Sequence, residues 1–552
     1  MNNERQKLAD LIFPTITKTI EDYEKQYPER NLGENAKVTR FAPSPTGFMH
    51  IGHFMPSLID YVLARQSEGI FYLRNEDTDT SRTVLGAVEY IRSVLNTYDL
   101  NPDEYEYRDT NETKGEYGPY IQSERKEIYH TFIKHLILEG KAYPCFLTGE
   151  EMDSIRESQS KDKRRIGIYG RYAKYRDLPV SEAIKRIENG ESYTIRLKST
   201  GDFNRKFKFN DLANGEMEFP ENDIDIPIMK SKDRLPTYHF AHLVDDHLMH
   251  TTHVVRGQEW ISSIPIHYEL FKTFGFKMPK YIHIPLILKK DGDTIRKISK
   301  RLDPEAKMTY YEEKGYPPLV VIEAVMTIAN SNYEAWREGH PDAHFTEFEF
   351  SPKKMSSSGA LFDLDKLDNI SKNYISKLSK EEVYASVLAW SEKYDPEFSL
   401  ILKKYKDYSM EIYNIERERK KPRKDYTYYS EIKDKTWYMY DEYFKDIQYD
   451  FSAYNHEEVK NILKIYLNDY YNELDEENIW FEKIREMCTK LNYATDMKDY
   501  KVNSENYKGS IVEVTNIIRI ALTTLTTTPN LYDIMRILGK ERIKNRIEKI
   551  IQ

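Results

Sequence analysis

Cysteine is nearly missing: Cys145 and Cys488 are the only two in 552 residues. Neither a disulfide framework nor a multi-cysteine zinc cage can be built from them, and a reducing compartment fits. No apolar run reaches the roughly eighteen residues that a membrane-crossing helix needs. The opening MNNERQKLAD carries acid and base where a secretory signal would be basic and then greasy. The chain is therefore expected in the cytoplasm, with no membrane partner and no internal repeat of fixed period. What it does have is material for several cores, since 39% of residues are apolar and 13% aromatic, which removes disorder as the default. Its length implies about three to five domains of ordinary size.

A net charge of −9 would count against nucleic acid if it were evenly spread, but binding responds to charge within a Debye length. Two local patches oppose it. KDKRRIGIYGRYAKYRD (161–177) holds seven basic residues against two acidic, and ERERKKPRK (416–424) six against two, with tyrosines among or after them. Either alone reads as a solvated face; the pair favours RNA.

VTRFAP (38–43) predicts a short strand, PSPTG a loop, residues 50–67 a helix that Gly69 ends, and IFYLRNED (70–77) a second strand. This βαβ unit implies parallel pairing through a right-handed crossover. HVVRG (253–257) and YIHIPLILKK (281–290) read as further strands around a helix over 259–274, so the sheet resumes after an insertion. Beyond about Pro304 the periodicity turns helical. The fold class expected is α/β, a Rossmann-like parallel sheet with an inserted α+β domain, followed by all-α domains.

Within RFAPSPTGFMHIGH (40–53), the loop delivers His50 and His53 to the first turn of the helix, where residues three apart are neighbours. Free N–H groups and the positive end of the helix dipole make an anion, a phosphate above all, the natural guest. Gly52 lets a flat base or sugar approach the backbone. DGDTIRKISKRLD (291–303) adds a charged loop bearing Lys297 and Lys300, able to close over phosphates.

These residues resemble the two signatures of class I aminoacyl-tRNA synthetases, "HIGH" at His50 to His53 and "KMSKS" as KISKR at Lys297 to Arg301. RFAPSPTG, FYLRNEDTD, GPYIQSER, LPTYHFAHLVDDHLMHTTHVVRGQEW and KISKR together resemble the bacterial-type glutamyl-tRNA synthetase family, and the likeness runs from residue 38 to the end, through ALFDLDKL and IRIALTTLTTTPNLYDIMRILGKER. Residues 1–37 and the tyrosine-rich stretch at 400–450 match less well.

The resemblance implies two steps: glutamate attacks the α-phosphate of ATP, and a ribose hydroxyl of the terminal tRNA adenosine then takes the glutamyl group. ATP, accompanied by Mg2+, and L-glutamate are the small substrates, and the relatives need tRNA for the first step. His50 and His53 would hold phosphates, Lys297 and Lys300 would neutralise transition-state charge, and Pro43, Gly52, Glu259 and Trp260 would contact ATP. Arg40 and Arg256, at strand ends, suit the side-chain carboxylate of glutamate, where a guanidinium fork grips two oxygens. Glu76 suits its ammonium, and by resemblance Ala42, Ser44 and Tyr238 complete the pocket. No catalytic metal residue is expected.

The implied organisation is an extension at 1–37, a catalytic domain at 38–123 and 237–303, an acceptor-binding insertion at 124–236, a stem-contact domain at 304–390 and an anticodon-binding domain at 391–552, acting as a monomer on tRNA(Glu). Whether tRNA(Gln) is also a partner is left open. Three features point elsewhere. His239, His242, His247, His250 and His253 crowd fifteen residues as a zinc set would, but their spacings scatter over different faces; His242 stands where some relatives carry asparagine. KMSSS (354–358) lacks the second lysine and falls in the region read as helical, beyond the sheet. YPCFLTGEE keeps one cysteine where some relatives carry several, so no structural zinc is expected. A glutaminyl enzyme is the rival within the class, with the APSPTG loop favouring the glutamyl one. An RNA-binding regulator with a dead core is the rival outside it, opposed by the intact histidines and lysines. A small tRNA-modifying paralogue is contradicted by about 250 residues after KISKR.

Overall fold

Four buried residues, Val38–Phe41 (β1), carry side chains of β-forming type on both faces, as a covered parallel strand does. A computed structural model describes residues 2–79, 83–356, 359–445 and 447–552. Helix α1 (Ile51–Arg65) crosses from β1 to strand β2 (Ile70–Leu73), which pairs with β1 in parallel, Val38 against Ile70 and Phe41 against Leu73. The predicted βαβ unit is present.

Between residues 124 and 236 an antiparallel sheet of Ala142–Cys145, Thr194–Leu197 and Pro227–Met229 forms, together with a hairpin of β3 (Lys206–Asp211) and β4 (Gly215–Pro220). The parallel arrangement resumes with helix α2 (Tyr238–Leu248), strand β5 (His253–Gly257), helix α3 (Ile264–Phe274) and strand β6 (Lys280–Ile284), β5 and β6 pairing in parallel. Thr252 N–H donates to Val38 O, seating the later pair beside the first.

Three departures from the sequence reading have physical reasons. The strand expected over 281–290 is divided, because Pro285 follows β6 and can donate no ladder bond; β7 (Ile287–Asp291) then turns back into β8 (Thr294–Lys297). The helix expected from residue 259 opens as a 3-10 turn, Gln258–Ser263, and becomes α-helical at Ile264, where Pro265 sets the first turn. The region read as all-helical contains a short strand, β9 (Ala360–Leu361), parallel to β7. KMSSS is thus not remote from the sheet: Lys354 and Met355 precede β9 by a few residues, and its last two serines, 357–358, lie outside the described residues.

Two compact units result, one from residues up to 310 with 321–363, the other from 311–320 with 364–552. In the first, the N-terminal extension is a strap. Its helices Asn2–Ile12 and Ile20–Gln26 bury Leu8, Ile12, Phe13, Ile20 and Tyr23 in the main core. Arg30 then forks onto Glu104 at 2.7 and 2.9 Å and donates to Met249 O. The second unit is helical, and its tyrosines explain the composition: Tyr413, Tyr438 and Tyr440 are core residues.

Candidate functional site

His50 is the N-cap of α1 but makes no side-chain bond to it, leaving the first-turn N–H groups uncapped by the side chain. The His50 and His53 rings stack with centroids 3.8 Å apart. Burial, then His53, Lys300 and Lys297, pushes His50 down to about 2, and burial with Lys300 pushes His53 down to about 4. Both rings are neutral at pH 7, so they meet a phosphate as N–H donors rather than as charges. Gly52 has an additional reason to be glycine: a Cβ there would lie 2.9 Å from Cε1 and Nδ1 of His50. Gly52→Ala should keep the fold but displace the His50 ring, slowing turnover roughly 10- to 100-fold, measurable by steady-state kinetics with the melting temperature as control.

Lys297 ends β8, and Lys300 reaches back to donate to Phe48 O at 3.3 Å. The loop is folded around Asp303, a residue the sequence reading passed over. Its carboxylate accepts from both Arg296 Nη atoms at 2.7 and 2.8 Å and from Ser299 N–H at 2.7 Å. Arg296, ahead of the Ser299 N–H, holds the Asp303 carboxyl well below the usual carboxylate range.

The two signatures meet in one cleft. A cavity of about 320 Å³ is lined by His50, His53, Lys297 and Lys300, and a larger one of about 710 Å³ by Arg40, Ala42, Pro43, Ser44, Glu76, Tyr238, Arg256 and Trp260. Gly52, His53, Gly257 and Glu259 line both, so the cavities adjoin. Every residue given a catalytic, ATP-binding or glutamate-binding role by the sequence therefore lines one of two neighbouring spaces.

Beneath the larger cavity lies a buried charge cluster that the sequence did not reveal. Arg74 bonds to Asp246 at 2.7 Å and Glu76 at 3.0 Å, and Arg125 to Asp245 at 2.7 Å. Arg40 approaches Asp246 at 3.6 Å and donates to Val255 O. Burial pushes the Glu76 carboxyl up, against the pull of Arg74 and Arg40. Tyr238 stands beside Trp260 with ring centroids 4.5 Å apart.

Among the described residues, no group of three His, Cys, Asp or Glu is placed to hold a metal ion. The five crowded histidines separate: His239 meets His267, His242 meets Tyr281, His247 meets Glu24, His250 the carbonyl of Tyr27, and His253 its neighbour Thr252. Cys145 is buried in its strand. Burial also pushes His130, His239 and His253 down to about 4 from 6.5. As pH falls below 6.5 the unfolded chain takes up these protons first, so stability is complete above that pH and is lost toward 4. The melting temperature should decline steadily across this window, read by calorimetry.

The basic patches are partly internal. Arg165 forks onto Asp223, Lys174 pairs with Glu151, and Arg176 pairs with Asp225. In the second patch Arg417 donates to Ile375 O and Leu378 O, while Lys420, Lys421 and Lys424 are exposed.

Residues 37–369 match the family model for tRNA synthetases class I (E and Q), catalytic domain, and residues 422–551 that for an anticodon binding domain. The chain is 47% identical to a glutamate–tRNA ligase of Clostridium perfringens (strain SM101 / Type A) over 99% of both chains, and 40% identical to one of Sorangium cellulosum (strain So ce56) over 96% of this chain and 97% of that one. A crystal structure of a glutamate tRNA ligase from Elizabethkingia meningosepticum, in complex with its amino acid, superposes with a TM-score of 0.75 at 27% identity, covering 94% of this chain and 99% of that one. No helix among the described residues is long and apolar enough to cross a membrane.

Proposed function

This chain belongs to the glutamate–tRNA ligase family of class I tRNA synthetases, and from that premise we propose how its cleft makes glutamyl-tRNA. ATP is a substrate, and the Mg2+ in this proposal arrives bound to its phosphates. L-Glutamate occupies the larger cavity, its side-chain carboxylate between Arg40 and Arg256, its ammonium against Glu76, with Ala42, Ser44 and Tyr238 closing the pocket. ATP lies across the shared boundary, with Gly52, Pro43, Glu259 and Trp260 at the nucleoside and His50 and His53 donating N–H bonds to phosphates.

The α-carboxylate of glutamate attacks the α-phosphorus, and the bond to the pyrophosphate oxygen breaks. Lys300, with Lys297, meets the charge that gathers on the leaving phosphates, where preorganised donors act most strongly. The ribose hydroxyl of the terminal adenosine then attacks the mixed anhydride and AMP leaves. Positioning and charge neutralisation suffice, and no protein nucleophile is required. The single observation that carries this reading is the sharing of Gly52, His53, Gly257 and Glu259 by the two cavities, which sets amino acid and phosphates side by side.

The insertion at 124–236 takes the acceptor end, and the helical segment at 391–552 takes the anticodon, supported by exposed Lys420, Lys421 and Lys424. The protein acts as a monomer. Pyrophosphate exchange with glutamate, ATP and total tRNA should appear only when all three are present, and purified tRNA(Glu) should then accept glutamate. tRNA(Gln), assayed beside it, decides whether the second acceptor is also used. Folded protein that shows no exchange under these conditions overturns the proposal in favour of an RNA-binding regulator.

A further inference from the structure

Arg256 is buried, lines the larger cavity, and has no carboxylate within ion-pair distance among the described residues. Its side-chain bonds among the described residues go to uncharged groups: Nε donates to His283 Nε2 at 2.9 Å, Nη1 to His267 Nδ1 at 3.2 Å and Nη2 to Trp260 O at 3.4 Å. Arg40 differs, since Asp246 stands opposite it. Neutral rings thus hold one guanidinium of the pocket without cancelling its charge.

The bonds behind these rings fix their protons. A ring nitrogen that accepts from an arginine cannot itself carry hydrogen. His283 must therefore be protonated at Nδ1, which donates to Asp211 Oδ2 at 2.7 Å. The other oxygen of Asp211 accepts from Ala213 N–H, Asn214 N–H and Asn214 Nδ2, so the carboxylate is satisfied at both ends. His267, accepting at Nδ1, carries its proton on Nε2 and donates to His239 Nδ1 at 3.0 Å. Asp211 and His283 are each 1% exposed and His267 is fully buried, so water does not compete for these bonds.

We propose that Asp211 and His283 are positioning residues for Arg256: the carboxylate sets the tautomer of the ring, and the ring aims the guanidinium while leaving its charge for the substrate's side-chain carboxylate. An aspartate in place of His283 would hold the same N–H but would neutralise the cation that must distinguish a carboxylate from an amide. This inference rests on the glutamate-binding role given to Arg256 above. Its consequence is discrimination of glutamate from glutamine, which has the same shape and lacks the charge.

Three variants test it. In Asp211→Asn the amide oxygen faces the three donors of the turn and its NH2 faces His283, which forces the proton to Nε2 and sets two N–H groups against each other at Arg256. His283→Asn keeps a donor near Nδ1 but loses the acceptor; His283→Gln places an amide oxygen where Nε2 was. The readout is the ratio of kcat/KM for glutamate to that for glutamine in tRNA-dependent pyrophosphate exchange, with the melting temperature as control. D211N and H283N should lower the ratio by about tenfold, mainly through the KM for glutamate and with the KM for ATP unchanged, while H283Q stays near wild type. A residue that only supported the fold would lower turnover with both amino acids equally. Wild-type selectivity in D211N and H283N, or H283Q as impaired as H283N, overturns the proposal; if D211N does not fold, the two His283 variants decide it. Wild-type chain without glutamate-dependent exchange would overturn the activity itself, and the role of Arg256 with it.

Discussion

Lys300→Ala should lower the rate of glutamate-dependent pyrophosphate exchange by about 10²- to 10³-fold, the usual loss when one preorganised transition-state donor is removed. The KM for glutamate should stay within about twofold of wild type, because Lys300 lines the smaller cavity and not the larger one. The fold should tolerate the change, since among the described residues the ammonium bonds only to the carbonyl of Phe48, at 3.3 Å. That bond also shows how far the loop reaches, linking positions 252 residues apart. Burial lowers the pKa of Lys300, and a polyphosphate arriving beside it would raise the pKa again. The charge is therefore worth most when substrate is present. Rapid-quench measurement of adenylate formation separates this effect from product release. A loss smaller than about fivefold would remove Lys300 from the chemical step.

Arg74→Met should produce the second large effect, this time on stability. The guanidinium is fully buried and meets Asp246 at 2.7 Å, Glu76 at 3.0 Å and Asp245 at 3.7 Å. Methionine fills much of the volume but leaves these carboxylates without their shared cation. Breaking a buried ion network from one side costs about 3 to 5 kcal/mol, so the first unit should unfold at markedly lower urea. The helical unit has its own core, so its transition should move less, and two probes are needed because one midpoint would not describe both. A shift of the first transition below about 1 kcal/mol would mean that the cluster is held by its other members.

The local patterns that identified the cleft were legible because each is written in a few consecutive residues. β1, α1 and β5 follow from the strand and helix patterning of their own segments, and KISKR stands out by its resemblance to a family signature. Arg74, Asp245, Asp246 and Asp303 were not legible, because the value of a buried charge depends on partners that the chain brings from elsewhere. Arg74 finds Asp246 across 172 positions. The tyrosines of the second unit carry a related ambiguity: a base platform and a packed core use the same rings, and only burial separates them. The basic patches held a milder version of the same ambiguity, with Arg165, Arg176 and Arg417 turned inward to their own carboxylates and carbonyls. Pro285 divides its strand for a purely local reason, since it has no N–H to give to a ladder.

The strap formed by the first thirty residues has a consequence for how this protein is born. Arg30 waits for Glu104 and for the carbonyl of Met249, Arg234 donates to Ile12 O, and the edge of β1 is completed only when Thr252 arrives. Docking therefore comes in stages: the helix Lys126–Glu139, whose Lys134 donates to Phe13 O and Ile16 O, can receive the segment early, but the bonds to Arg234, Met249 and Thr252 wait for more than two hundred further residues. Until residues 126–139 are made, its Leu8, Ile12 and Phe13 surface travels uncovered. Closure over so long a span is slow, which makes the nascent chain, rather than the finished enzyme, the species most exposed to aggregation.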